Sequence, residues 1–285
     1  MLLDTLNTTY TGIVNYRDVA KHLEQPKETG KKGITGNYGN LKVWANPFKL
    51  KIVGSADKFM NDENYNGLTM DQTKEFITLL SDVFDLDLMK ATVNRIDNGT
   101  SFLLKEPPAK YRSLMIFKPK YFNNSYPNTT YFHNATDTRV LCFYDKGINK
   151  DYLKFENRFT KTTTIKTTLK LNQKPTVADV IKNNNLLLKQ WKKAYFTVIK
   201  SQLIQMQKAP TGIKDINNYL WALAVNDPTQ RKAIEAAINL NENKKTRYKM
   251  RQKIRRAEKY RFNSNYDLIK ELDQKVNEKY ENNLI

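Results

Sequence analysis

Apolar and polar residues alternate with period two through Leu41-Lys-Val-Trp44 and Phe48-Lys-Leu-Lys-Ile-Val53, the pattern of half-buried strands. Residues 1–66 as a whole read as short strands and loops, with the Gly30–Gly39 stretch, which carries Lys31-Lys32-Gly33, as an exposed loop. At Thr69-Met-Asp-Gln72 the pattern changes to a capping box. Phe76, Leu79, Leu80, Val83 and Phe84 then fall at helical spacing and predict an amphipathic helix over about 70–84. Ala91–Asp97 is a short β-like run, Pro107-Pro108 breaks the chain, and residues 111–117 suit another strand. Thr138–Tyr144 and Tyr152–Phe159 predict a hairpin, with Gly147 and Asn149 able to take positive φ between them. From Thr176 the period is helical. Thr176 and Asp179 suit a second capping box, Asp227-Pro228 an N-cap with Pro at N1 before a helix to about Leu240, and 242–262 and 266–281 two more helices. Leu187, Leu188, Trp191, Phe196 and Ile199 read as core. No internal repeat is visible in the sequence.

These elements predict an α+β chain: a mainly antiparallel sheet with packed helices over residues 1–170, followed by a basic helical region over 171–285.

The hairpin carries a geometric argument. Cross-strand partners share a sheet face, and side chains alternate faces along each strand. If Leu141, Phe143, Leu153, Phe155 and Phe159 face the core, then Tyr144, Lys146, Lys154, Glu156 and Arg158 share the other face. A phenol, an acid and several cations on one surface suit phosphodiester chemistry; the ordinary alternative is a polar sheet face laced with salt bridges. Arg95-Ile-Asp97 has the same two readings, and its weaker alternation leaves the face of Asp97 open.

Charge adds a direction. The 285 residues hold 48 Lys+Arg against 29 Asp+Glu, a net charge of +19. Residues 1–150 carry 20 basic and 16 acidic residues, whereas 151–285 carry 28 and 13. Codon bias toward Lys, Asn and Tyr explains abundance but not this segregation. A basic half is a footprint for a polyanion, nucleic acid before anionic membrane. It is densest at Lys244–Arg261, where ten of 18 residues are Lys or Arg and only Glu258 is acidic. A helix there lays Lys245, Arg247, Lys249, Arg251, Lys253, Arg255 and Arg256 along a phosphate backbone, and its thin apolar face disfavours a membrane-surface role. Tyr121, Tyr126 and Tyr131 are candidate stacking residues.

Other chemistries are excluded or poorly supported. The chain has one Cys, Cys142, and two His, His22 and His133, so neither a disulfide framework, a Cys-rich zinc site nor a His-x-His metal pair is available. There is no P-loop, no Gly-x-Ser-x-Gly elbow, no stretch of 18 apolar residues and no secretory leader pattern. Asp97 and Glu156 remain as hard oxygen ligands for Mg²⁺ or Mn²⁺. A Tyr oxygen beside them can attack phosphorus.

Asn94-Arg-Ile-Asp97, Phe143-Tyr-Asp-Lys-Gly147 and Leu153-Lys-Phe-Glu-Asn-Arg158, preceded by Ile52–Phe59 and the capped helix at Leu68-Thr69, occur in an order and spacing that resembles the rolling-circle replication initiators of the filamentous-phage gene II/X type. A more distant similarity extends to staphylococcal plasmid initiators. The resemblance covers about residues 40–160. It implies a site-specific DNA nickase and strand transferase acting at a phage or plasmid origin, with Tyr144 as nucleophile and a covalent phosphotyrosine intermediate. It further implies Asp97 and Glu156, joined by Asp145, as ligands of a divalent metal, Lys146 as the stabiliser of phosphoryl charge, and Arg95 and Arg158 as phosphate-positioning groups. The implied partners are origin DNA and host helicase and polymerase, in a bacterial host cytoplasm, with no membrane; a homodimer is compatible with it. Asn98-Gly99 departs from the family pattern and predicts an early end to that strand, and Gly147–Lys150 lacks the family's following acidic residue. A second reading of the same basic half is a non-catalytic DNA-binding replication or repressor protein.

Overall fold

The computed structural model describes residues 2–30, 33–147, 151–200, 213–226, 228–257 and 266–284. Met1–Ser201 with Leu268–Ile285 forms one compact unit and Gln202–Asp267 a second.

The first unit begins with β1 (Leu3–Thr11), α1 (Tyr16–Lys21), the meander β2 (Glu24–Thr29), β3 (Gly33–Tyr38), β4 (Leu41–Asn46) and β5 (Lys49–Val53), then α2 (Ala56–Asn61) and α3 (Met70–Phe84). It continues with a 3-10 turn at Leu88–Lys90, β6 (Thr92–Leu103), α4 (Pro108–Leu114), β7 (Met115–Phe117), and the meander β8 (Tyr121–Tyr126), β9 (Thr129–Asn134), β10 (Arg139–Lys146) and β11 (Tyr152–Phe159). After these come α5 (Thr162–Thr168), α6 (Val177–Lys182), α7 (Asn184–Phe196) and β12 (Ile199–Lys200), and α11 (Tyr266–Glu281) closes the unit. The second unit contains α8 (Ile213–Asn226), α9 (Pro228–Leu240) and α10 (Lys244–Ala257), joined by a small core of Ala222, Val225, Ile238, Ile254 and Ala257.

Ten strands form one antiparallel sheet in the order β2-β3-β4-β5-β1-β6-β11-β10-β9-β8. The architecture is therefore α+β. Both main cores lie against the same sheet face. Leu41, Val43, Ala45, Leu50, Ile52 and Ile96 meet Phe76, Ile77 and Leu80 of α3, while Phe102, Leu141, Phe143, Leu153 and Phe155 meet Leu188, Trp191 and Tyr195 of α7 and Leu272 and Val276 of α11. The capping boxes at Thr69/Gln72 and Thr176/Asp179 open α3 and α6.

Two antiparallel meanders flank the central pair β1/β6, and the order of elements repeats: strand, helix, four-stranded meander, helices. The register repeats as well. Across β3-β4-β5-β1 runs the row Thr35, Trp44, Lys51, Thr9; across β9-β10-β11-β6 runs the row Thr129, Tyr144, Lys154, Ser101. The halves are thus topological repeats that their side chains conceal.

Several expectations need correction. The 30–39 segment is not all loop: β3 pairs with both β2 and β4, burying Ile34. Residues 111–114 end a helix that Pro108 opens at its first turn, so only Met115–Phe117 is strand. Asn98-Gly99 does not end β6, which runs on to Leu103 in register with β11. The division at 170/171 falls inside the first unit, because α6, α7 and α11 complete the sheet's cores. Leu187, Leu188 and Trp191 are core, but Phe196 and Ile199 are exposed. Asp227, Asn149 and residues 258–262 lie outside the described residues.

Candidate functional site: a buried tyrosine, carboxylate and cation cluster

In the hairpin, Tyr144 lies opposite Lys154, Cys142 opposite Glu156 and Lys146 opposite Tyr152. Tyr144, Lys146, Lys154, Glu156 and Arg158 therefore share the face away from the core, as parity requires. Arg158 lies opposite Asp97 on β6, which adds Asp97 to that face. Gly99 lies opposite Glu156, and a Cβ there would stand 2.5 Å from Glu156 Cγ. The glycine leaves the space into which the Glu156 side chain folds.

The contacts form one network. The Tyr144 hydroxyl donates to Glu156 Oε1 at 2.6 Å. Glu156 Oε2 accepts from Arg158 at 2.7 Å and 2.6 Å. Lys154, fully buried, stands 2.6 Å from Asp4 and 3.7 Å from Glu156, and donates to the Asn64 backbone carbonyl. Arg95 grips Asp97 with both arms, Nε to Oδ1 at 2.9 Å and Nη2 to Oδ2 at 2.6 Å, while Arg158 lies 3.8 Å from the same carboxylate. Lys146 donates to the Asn64 side chain. The segment after α2 brings Asn64 and Tyr65 over this face. A cleft of about 620 Å³ opens beside it, between Lys58 and the Asp62–Tyr65 segment on one side and Tyr144, Asp145, Lys146 and Gly147 on the other.

Burial and charge set the protonation states. Burial lifts the Asp4 carboxyl to about 7 against the pull of Lys154, and Asp4 is close enough to Glu156 for the two to share a proton. Burial also acts to raise Glu156, but Arg158 and Lys154 overcome it and hold that group at about 2. Tyr144 is pushed well above the ordinary phenol range by burial and by the Glu156 anion. Asp97 is raised by burial despite Arg95, and Lys146 is lowered by burial and by Lys154. The arrangement can pass a proton from a phenol into a carboxyl pair and offer several cations to an anion.

Asp145 does not join the cluster. It has the opposite parity and forms a buried pair with Arg112 at 2.5 Å and 2.9 Å. Among the described residues no group of three or more His, Cys, Asp or Glu side chains is placed to hold a metal. The oxygens of Asp97 and Glu156 are already taken by Arg95, Arg158 and Tyr144. As arranged, this donor set does not fit a divalent cation.

Tyr126 and Tyr131, with ring centroids 6.0 Å apart, share the Tyr144 face, and Arg158 stands over Tyr131 at 5.8 Å; Tyr121 points to the core. On α10, Lys245, Lys249, Arg251, Lys253, Arg255 and Arg256 are exposed and Arg247 is half-buried. Sequence reasoning missed Asp4 and Asn64. Asp4 had a signal, a carboxylate inside the apolar run Leu2-Leu3-Asp4-Thr5-Leu6; Asn64 had none. Among the described residues no helix is long and apolar enough to cross a membrane. Comparison with protein families and with curated proteins yields no match.

Proposed function

We propose that this protein is a replication initiator that nicks and rejoins one DNA strand at a phage or plasmid origin through Tyr144. The observation that carries the reading is the Tyr144 hydroxyl bound to a buried carboxylate that Arg158 clamps, at the edge of an open cleft. In this mechanism Tyr144 Oη attacks phosphorus, and the P–O3′ bond breaks as the P–Oη bond forms. The phenol proton passes to Glu156 and its partner Asp4, whose pKa near 7 suits an acceptor at neutral pH. Lys146, made more acidic by burial, protonates the leaving 3′ oxygen, and Arg158 and Arg95 offset the phosphoryl charge. Rejoining reverses each transfer. The exposed cations of α10 supply sequence-independent grip on the backbone. No step is routed through the divalent metal that the resemblance implies, because Arg95 and Arg158 would first have to release Asp97 and Glu156.

The test is incubation with a supercoiled plasmid carrying the cognate origin, with Mg²⁺, Mn²⁺ or EDTA, followed by detection of nicked circles and of protein linked to the 5′ phosphate. Tyr144→Phe abolishes the adduct while origin binding persists; a mutant that still forms the adduct removes Tyr144 from the mechanism. One observation favours the second reading, a non-catalytic DNA-binding protein: Tyr144 is harder to ionise than a free phenol. That reading stands if the wild type binds the origin and never nicks it under any of the three conditions.

A further inference from the structure

The sheet has a second half with the same register as the hairpin that carries Tyr144. At the position equivalent to Tyr144 stands Trp44, opposite Lys51 as Tyr144 is opposite Lys154. Leu41, Val43, Ala45, Leu50 and Ile52 are buried on the core face. Alternation therefore puts Lys42, Trp44, Lys49 and Lys51 on the open face, together with Thr35 and, across β3, Lys27. Lys27, Lys42, Lys49 and Lys51 are exposed and Trp44 is half-buried. None of the four lysines is in an ion pair among the described residues. Glu24, at the outer edge of β2, is the one carboxylate that alternation puts on the same face of β2–β5.

We propose that the open face of β2–β5 is a binding platform for single-stranded DNA, with Trp44 as the stacking surface and Lys27, Lys42, Lys49 and Lys51 as the phosphate contacts. Four cations against one carboxylate select a polyanion. A sheet face presenting an indole among lysines suits a strand whose bases are splayed rather than paired, since duplex bases are hidden from such a surface. The choice of DNA over RNA rests on the reading of Tyr144 as a nucleophile for a DNA strand. Trp44 and Tyr144 stand on β4 and β10, five strand spacings apart, and their rows cross β6 at Thr92 and Ser101, at opposite ends of that strand, so roughly 38 Å of sheet separates them. A stacked strand at 3.4 Å per nucleotide covers that span with about eleven nucleotides. Arg95 and Arg158, on β6 and β11 between them, face the same side. The platform therefore holds the part of the strand that flanks the scissile phosphate, and it does so on the half of the sheet whose counterpart positions lack the chemistry: Val53 stands where Glu156 does in the other half.

The experiment uses full-length protein carrying Tyr144→Phe, in EDTA, so that cleavage never enters the readout. Binding of a fluorescein-labelled 20-nucleotide oligo(dT) is measured by anisotropy across a salt series, with intrinsic tryptophan fluorescence read in parallel. Replacing Lys42, Lys49 and Lys51 together by Ala lowers affinity at least tenfold and reduces the log–log salt slope by about 2, at roughly 0.7 per single-strand phosphate contact. Oligo(dT) quenches the parent's fluorescence, and Trp44→Phe, which keeps a ring in place, removes most of the quench. Circular dichroism of each variant reports the fold. An unchanged affinity and slope in the folded triple variant overturns the proposal. So does a duplex of equal length that binds as tightly and weakens equally, and so does a tenfold preference for oligo(U). A wild type that forms no adduct while the lysine variants lose oligo(dT) removes the nicking reading and leaves the platform; an adduct with oligo(dT) binding unchanged does the reverse.

Discussion

Replacing Asp4 by Asn isolates the proton that the site stores. Asp4 is buried between Lys154 and Glu156 and accepts from the Ser55 hydroxyl at 2.9 Å. Burial lifts its pKa from 3.8 to about 7. A carboxyl with a raised folded-state pKa keeps its proton to higher pH in the folded chain than in the unfolded one. Between pH 3.8 and 7 the folded state therefore binds more protons, and stability falls as pH rises through that window. About three pKa units at 1.36 kcal/mol each make the full loss about 4 kcal/mol, of which about 3 falls between pH 4.5 and 8. Glu156 acts in the opposite sense and in another window: its lowered pKa stabilises the fold above its ordinary value and is lost only as pH falls toward 2. Asparagine fixes position 4 in the neutral form. Urea unfolding of wild type and Asp4→Asn at pH 4.5, 5.5, 6.5, 7.5 and 8 gives the difference, in which titrating groups that do not touch Asp4 cancel and the response of Glu156 and Lys154 is counted with that of Asp4. Wild type loses about 3 kcal/mol more than the variant across that range. Parallel profiles within about 1 kcal/mol would refute the protonated, buried Asp4. The same proton shapes activity: adduct formation in wild type rises toward pH 7 and levels off, and the Asp4→Asn profile lacks that limb.

Two structural substitutions test the frame around the site. Gly99→Ala puts a Cβ 2.5 Å from Glu156 Cγ and 3.1 Å from the Phe155 carbonyl, so it destabilises by about 1–3 kcal/mol in urea, whereas Gly30→Ala, with nothing within 4 Å of an added Cβ, leaves stability unchanged. Asp145→Asn strands Arg112 without its partner and costs about 3–5 kcal/mol, while replacing both by Leu recovers most of the loss; a single variant within about 1 kcal/mol of wild type removes the buried pair as a structural element.

Period-two alternation was enough to pair β10 with β11 and to put Tyr144, Lys146, Lys154, Glu156 and Arg158 on one face, because each strand buries one side and exposes or shields the other. The capping boxes located α3 and α6 because hydroxyl and carboxyl or amide side chains satisfy a helix's first amides. Long-range encounters were not legible. Asp4 meets Lys154 only because β1 sits beside β6 and β6 beside β11, and Asn64 reaches them from a loop. Gly99 read as an interruption, since a sequence does not reveal that a neighbouring strand's Glu156 needs the vacant Cβ position. The repeat was hidden for a related reason: register and topology are held by the apolar positions, such as Leu41 with Leu141 and Leu50 with Leu153, which many unrelated strands share.

The two halves of the sheet also bear on why ions are buried at all. Removing Asp4, Lys154 and Glu156 from water costs several kcal/mol per ion, and apolar groups of similar volume in such positions are often neutral or stabilising. The first half illustrates the cheaper construction: Lys51 is exposed, Val53 stands in place of Glu156 and Trp44 in place of Tyr144, and those strands are paired just as continuously. Folding of this topology therefore does not require a buried ionic network. In the second half the network persists beside an open cleft, shifts a carboxyl to about 7 and holds a phenol against its neighbour. Strong pKa perturbation by burial and a specific partner, next to solvent, is what the proposed proton transfer from Tyr144 requires. If support were the role, replacing Lys154 by Met and both carboxyls by Leu would lower stability and leave origin-dependent adduct formation intact. We expect the reverse, stability kept or raised and the adduct lost.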